Sequence, residues 1–246
     1  MYLYGKNSVL ERLKANPCSI RKIYLADDFG DRRILNAIRE AKVKTQRLPY
    51  KRLVKIKPSE HLQGIIAEVD NFFYTPFENL LSKPARQKLT LIFLDNLTDP
   101  QNLGVIIRSL ACLGGFAVVI PEHNSCKITD AVLHVASGGE NYIPIAMAGN
   151  TSKALMEAKR AGYWSAGATV EGGEEIESAR LAFPLCLVMG SEGRGIRPGV
   201  IKHLDFKITL PMRGAALSFN VAIATVLLSY EIFKKKRQAA RASFGD

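Results

Sequence analysis

Six short apolar runs mark the larger, C-terminal part of the chain: TLIFLD at 90–95, AVVI at 117–120, IPIA at 143–146, YWSAGA at 163–168, LCLVM at 185–189 and FKITL at 206–210. They are too short for ordinary helices and show little polar alternation, which predicts strands buried on both faces. Between them, apolar residues recur every three or four positions, predicting helices over 103–113, 129–137, 151–161, 198–203 and 218–237. Strands alternating with helices predict an α/β fold with a parallel sheet covered on both sides. In such sheets ligands bind at the carboxyl ends of the strands. Three loops qualify: 95–104, 190–195 and 211–220.

A smaller α/β pattern occupies residues 1–70. Asn7 is placed to cap a helix through Lys14, stopped by Asn16 and Pro17. IRKIYLA at 20–26 predicts a strand, RRILNAIREA at 32–41 an amphipathic helix and GIIAEV at 64–69 another strand. Residues 71–89, with two prolines and mixed polarity, read as a linker. The expected organisation is therefore a small unit over 1–70, a linker over 71–89, a larger unit over 90–237 and a basic flexible tail over 238–246.

Charge adds a partner to this picture. Of the net +11, residues 1–57 carry 15 lysines and arginines against 5 acidic residues, whereas residues 58–229 carry 14 against 16. A cationic excess gathered at one end attracts polyanions, nucleic acid first. Candidate phosphate contacts are Lys6, Arg12, Arg21, Lys22, Arg32, Arg33, Lys51, Arg52 and Lys55. No apolar run approaches the length of a membrane span, and Met1 leads into a charged segment unlike a secretory leader. The four cysteines (Cys18, Cys112, Cys126, Cys186) and four histidines (His61, His123, His134, His203) lack metal-ligand spacing. A reduced, cytoplasmic setting without a metal is expected.

The loops carry the chemistry. GSEGRG at 190–195 follows a predicted strand, yet its spacing is neither a dinucleotide fingerprint nor a phosphate loop, and Glu192 would repel a phosphate. In 95–115, Asn102 sits near the start of a helix. Arg108 lies within apolar surroundings, so it is expected to face a cleft that holds an anionic partner. In 208–228, Ser218 and Asn220 open a helix that is otherwise apolar.

Together the three segments resemble the SpoU, or TrmH-type, RNA ribose 2′-O-methyltransferases of the SPOUT superfamily. Asn102, Gly104 and Arg108 match N-x-G-x-x-x-R. Gly190, Glu192, Gly193 and Gly195 match G-x-E-G-x-G. Pro211, Met212, Gly214, Ser218, Asn220 and Val221 match P-M-x-G-x-x-x-S-L-N-V, with Phe219 in place of the usual leucine and Ala222 in place of a common serine. YGKNSVLERL at 4–13 and LQGIIAEV at 62–69 resemble the small substrate-binding domain of the bacterial 23S rRNA guanosine 2′-O-methyltransferase subgroup, a domain usually lacking in the tRNA subgroup.

The resemblance implies a C-terminal deep trefoil knot, a homodimer with its active site near the interface, and S-adenosylmethionine as methyl donor. It would be held by Ala168, Thr169, Gly190, Leu210, Met212, Ser218, Phe219 and Asn220, with Gly190 admitting the backbone to the ligand. A cationic sulfonium would tolerate Glu192, which could instead orient Asn102 or Arg108. The resemblance also places Arg108 at the ribose 2′-hydroxyl, as general base or as a clamp, with Asn102, Glu192, Ser218 and Asn220 around it. Ribosomal RNA is favoured over tRNA. A nucleotide-dependent dehydrogenase is disfavoured, because no G-x-G-x-x-G follows TLIFLD. A non-catalytic RNA-binding protein is disfavoured because all these polar groups are present.

Overall fold

The computed structural model of the chain describes residues 1–215 and 217–242. The N-terminal part runs β1 (Tyr2–Tyr4), α1 (Lys6–Ala15), β2 (Ile20–Ala26), α2 (Arg32–Ala41), β3 (Thr45–Leu48), α3 (Tyr50–Ile56) and β4 (Ile65–Val69). Its sheet has the order β1-β4-β2-β3, with β4 antiparallel to both neighbours and β3 parallel to β2. Three elements leave no apolar period to read. β1 has three residues, β3 is a polar edge strand, and α3 buries only Leu53. Helix α1 begins one residue before Asn7, with Gly5 at its N-cap in a left-handed conformation and no side-chain cap.

The segment read as a linker is folded. It forms α4 (Phe77–Leu81) and α5 (Lys83–Lys88). Phe77 and Leu80, three apart on one helix face, are buried in the layer beneath the larger sheet. Tyr163 Oη donates to the Leu80 carbonyl at 3.1 Å.

The C-terminal part continues with β5 (Thr90–Leu94), α6 (Pro100–Leu113), β6 (Phe116–Pro121), α7 (Asp130–Ala136), β7 (Ile145–Ala148), α8 (Thr151–Arg160) and β8 (Trp164–Ala168). It ends with β9 (Glu174–Glu175), β10 (Leu185–Met189), α9 (Pro198–Ile201), β11 (Phe206–Thr209) and α10 (Val221–Ala242). Seven strands form one parallel sheet in the order β7-β6-β5-β10-β8-β11-β9. The six predicted strands are all present, with ends shifted by a residue or two. The seventh, β9, is two residues long.

β5 and β10 are buried along their whole length because both faces of the sheet are covered. Alternate residues feed two layers: Ile92, Leu94, Leu187 and Met189 enter one, and Leu91, Phe93, Cys186 and Val188 the other. The first layer is continuous with the core of the N-terminal part. Strand β10 enters the sheet between the earlier β5 and β8, which brings the loop after β10 beside the loop after β5. Helix α10 packs on α6 and carries the third loop to the same place. It continues past Arg237 to Ala242, so residues 238–242 of the segment read as a tail are helical. Residues 243–246 lie outside the described residues. No helix among the described residues is long and apolar enough to cross a membrane.

Candidate active site

The glycine loop is shaped by its own backbone. Ser191 and Gly195 exchange two hydrogen bonds at 3.1 and 3.0 Å, closing a tight ring. Gly193 and Gly195 have φ of 77° and 65°, a region that side chains adopt at a cost. Gly190 is glycine for another reason. A Cβ there would lie 2.1 Å from the Gly195 carbonyl carbon and 2.3 Å from the Ile196 nitrogen. The absent side chain lets the loop close on itself, and Gly190 also lines the cavity described below.

A second pair fixes this loop. Asp95, fully buried at the end of β5, accepts from the Arg197 backbone N–H at 3.1 Å and Nε at 3.0 Å. The hydrogen bond to Asp95 raises the Arg197 pKa further. Sequence reasoning missed both residues. The available signal was a carboxylate ending an apolar strand, which calls for a cation nearby.

The three loops meet in a triangle of side chains. Glu192 Oε1 accepts from Asn102 Nδ2 at 3.1 Å and from Asn220 Nδ2 at 2.8 Å. Asn220 Nδ2 also reaches Asn102 Oδ1 at 3.0 Å. Asn220 Oδ1 accepts from the Ala222 and Ile223 N–H groups at 2.9 and 3.3 Å, so Asn220 alone is the helix cap. Ser218 lies outside that turn. Asn102 is not a cap either: Asp99 accepts from Gln101 N–H ahead of Pro100 and begins α6. Released from capping, Asn102 is buried and turned to Glu192.

Beside the triangle lies a cavity of ≈ 210 Å³. Its wall includes Ala168, Thr169, Gly190, Leu210, Met212, Ser218 and Phe219, all expected there, together with Met189 and Leu228, which were not. Asn220 does not line it; its amide is committed to the triangle. Glu192 is part of the wall, and no lysine or arginine among the described residues is. Thr169 Oγ1 is buried without a hydrogen-bond partner among the described residues. An apolar wall, one carboxylate and an orphaned hydroxyl fit a flat heteroaromatic ligand carrying a positive centre, and do not fit a phosphate.

Arg108 stands apart. It is exposed, lines no part of the cavity, and forms no ion pair with a described residue. Its side chain is exposed rather than facing the buried cleft expected for it. At about 100° per residue, six positions carry Arg108 about 240° around α6 from Asn102, onto another face. Gly104, between them, allows α6 to touch α7, since a Cβ there would meet Val135 Cβ at 2.5 Å.

Among the candidate phosphate contacts, Arg32, Arg33, Lys51, Arg52 and Lys55 are exposed on α2 and α3. Lys6 lies 3.6 Å from Asp31, Arg21 pairs with Asp70 at 2.6 Å, and Lys22 lies over the Tyr24 ring. Arg12 is withdrawn from the set. It is 7% exposed and bound to Glu140, because α1 turns this face toward the turn at 138–141 rather than to solvent.

A doubly covered parallel sheet with a ligand crevice at its strand ends and a cationic appended unit defines an α/β protein with a small-molecule site and a surface suited to a polyanion. Similarity to known proteins supplies the family. Residues 89–230 match the SpoU rRNA Methylase family, and residues 2–75 match the family described as RNA 2′-O ribose methyltransferase substrate binding. A Bacillus subtilis protein, YacO, named for the TrmH family of tRNA/rRNA methyltransferases, is 33% identical over 96% of both chains. The 23S rRNA (guanosine-2′-O-)-methyltransferase RlmB of Pseudomonas putida is 30% identical over 96% of both. The crystal structure of the SpoU methyltransferase AviRb from Streptomyces viridochromogenes, in complex with AdoMet, superposes with a TM-score of 0.81 at 19% identity, covering 97% of this chain and 91% of that one. The chain belongs to the SpoU family and is an S-adenosylmethionine-dependent RNA ribose 2′-O-methyltransferase.

Proposed function

We propose that the protein methylates the ribose 2′-hydroxyl of a guanosine in 23S ribosomal RNA, in the cytoplasm and as a homodimer. The observation that carries the reading is the Asn102–Glu192–Asn220 triangle, whose Glu192 lines an apolar cavity with no lysine or arginine among its described residues. The rRNA preference is supported by the N-terminal substrate-binding match and by similarity to RlmB along the whole chain. The insertion of β10 between β5 and β8 is compatible with the deep knot of the superfamily.

The homodimer is supported by an exposed apolar stripe running into α10. Leu217, Phe219, Ile223 and Leu227 are 74, 45, 48 and 40% exposed, and the stripe borders the cavity. An apolar patch of this kind beside a site marks an interface.

When bound, S-adenosylmethionine supplies an electrophilic methyl on a sulfonium. Leu210, Met212 and Phe219 would hold its ring, Thr169 Oγ1 would offer a hydrogen bond, and Glu192 would oppose its positive charge. Asn102 and Asn220 hold the Glu192 carboxylate in one orientation. Arg108 serves as a clamp on the ribose hydroxyl or the adjoining phosphate. A guanidinium offers only donors and no acceptor, so the hydroxyl proton leaves to water or phosphate. Among the described residues Arg108 has no carboxylate partner to release before it engages RNA.

The test is incubation with labelled S-adenosylmethionine and either unmodified 23S rRNA or unmodified tRNA, followed by mapping of the 2′-O-methylated nucleotide. A labelled guanosine in 23S rRNA is expected. Label confined to tRNA would overturn the substrate.

A further inference from the structure

The turn that follows α7 is wedged between the two parts of the molecule, directly behind Arg108. Gly138, with φ of 95°, faces α1: a Cβ there would lie 2.4 Å from Glu11 Cβ. Gly139 faces the other way: a Cβ there would lie 2.9 Å from Arg108 Cα and 3.3 Å from Arg108 N. Two adjacent glycines thus let one turn touch a helix on each side. The next residue, Glu140, is 5% exposed and accepts from Arg12 Nη2 at 3.0 Å, across 128 residues of sequence. Tyr142 Oη donates to Glu11 Oε2 at 2.7 Å. Successive residues of α1, Glu11 and Arg12, therefore hold the turn.

This ion pair is poorly explained as a source of stability. A buried pair is often no better than an apolar pair of the same volume, because two charges lose their water. Here Arg12 Nε and Glu140 Oε2 have no hydrogen-bond partner among the described residues. Burial raises the Glu140 pKa, against the opposing pull of Arg12. A pair that is costly and incompletely satisfied serves better to fix a register than to stabilise.

We propose that Arg12 and Glu140 are positioning residues for Arg108. The pair sets the 138–142 turn against α1, and the turn sets α6 at Arg108. The seating of the N-terminal part on RNA thereby reaches the reacting ribose through one intervening turn. The inference rests on the reading that Arg108 acts at the ribose 2′-hydroxyl.

The test uses the full-length protein, labelled S-adenosylmethionine and unmodified 23S rRNA. Arg12→Met/Glu140→Met replaces the pair by apolar side chains of similar length, so its melting temperature should equal or exceed that of the parent. We expect kcat to fall by about tenfold or more, with the KM for RNA and the cofactor affinity within about twofold. Glu140→Gln, close to isosteric, provides the same readout should the double variant fail to fold. In an Arg108→Ala background the same substitutions should cause no further loss, because residues acting through one another are not additive. A parental kcat in a folded variant overturns the inference. So does a further loss in the Arg108→Ala background equal to the loss without it. Near-normal turnover by Arg108→Ala alone would instead remove the underlying reading of Arg108.

Discussion

Asn220 performs two tasks with one side chain: its amide donates to Glu192 Oε1 at 2.8 Å, and its oxygen accepts from the Ala222 N–H at 2.9 Å. The first links two loops of the site; the second begins α10. Aspartate separates these tasks, since it caps a helix as well as asparagine but cannot donate to Glu192. Asn220→Ala should cost about 1 kcal/mol through the missing cap, lowering the melting temperature by about 2–4 °C for a chain of this length. Asn220→Asp should retain the cap, yet lose methyl transfer by about tenfold or more, because two carboxylates then oppose each other. Thermal melts and methyl incorporation measure the two effects. Parental turnover in Asn220→Asp would contradict the role given to the triangle.

Arg108→Ala should leave S-adenosylmethionine affinity intact, since Arg108 lines no part of the cavity. Methyl transfer should drop by about 100-fold, the scale of removing a catalytic group. Arg108→Lys should also fail, because a point charge does not reproduce the guanidinium fork. Single-turnover methylation beside calorimetric titration of the cofactor checks both expectations.

At Gly190 even alanine should be damaging. Its Cβ would overlap the Gly195 backbone at 2.1 Å, and backbone atoms within a closed ring have little room to yield. Gly190→Ala should abolish measurable cofactor binding and also lower thermal stability. Gly193→Ala meets no atom within 4 Å and strains only its φ of 77°. Its cost should be about 1 kcal/mol. Equal effects of the two substitutions, by calorimetry and melting, would refute the distinction.

RNA affinity should follow the exposed cations of α2 and α3 and be indifferent to Arg12 as a phosphate contact. The combined Arg32→Ala, Lys51→Ala and Arg52→Ala variant should weaken binding and flatten its salt dependence. For single-stranded RNA the log–log slope should fall by about 0.7 for each phosphate that no longer meets a cation. Filter binding across a salt series provides the number. A chain beginning at Pro76, which keeps Phe77 and Leu80 in the lower core layer, should fold and bind cofactor but lose most RNA affinity. An unchanged slope in both would transfer RNA binding to the catalytic part.

Acid should destabilise the sheet through Asp205. Burial raises its pKa, but hydrogen bonds from Lys159 at 2.6 Å and from Ser165 at 2.8 Å outweigh that and leave it lowered. A folded pKa below the unfolded one, about 3.9, gives stability that is present above the unfolded value and lost as pH falls through the folded one. Asp205→Asn should therefore show a flatter acid limb in melting temperature against pH. An unaltered acid limb would rule out this contribution.

Local patterns carried a large part of this molecule. Continuous apolar runs such as LCLVM report burial on both faces, and Gly193 and Gly195 report a backbone that turns with positive φ. Where the pattern is weak the reading failed for a local reason. The exposed edge strand Thr45–Leu48 has no buried face to announce it, and two prolines made the segment of α4 and α5 read as a linker although Phe77 and Leu80 anchor it. Gly190 was recognised as a site glycine, but its partner, the Gly195 backbone, is visible only once the loop is closed.

The sequence by itself determined the α/β class, the three loops and the residue types in them, because hydrophobic period and turn chemistry are set by neighbours along the chain. Only the tertiary structure decided what those residues touch. Asn102 and Glu192 are 90 positions apart and meet because β10 enters the sheet beside β5. Arg12 and Glu140 are 128 positions apart, and a residue that composition counts among the RNA-facing cations is buried by that meeting. Charge and periodicity record what a side chain can do; which partner it finds depends on the order of strands and the packing of helices, which no local window contains.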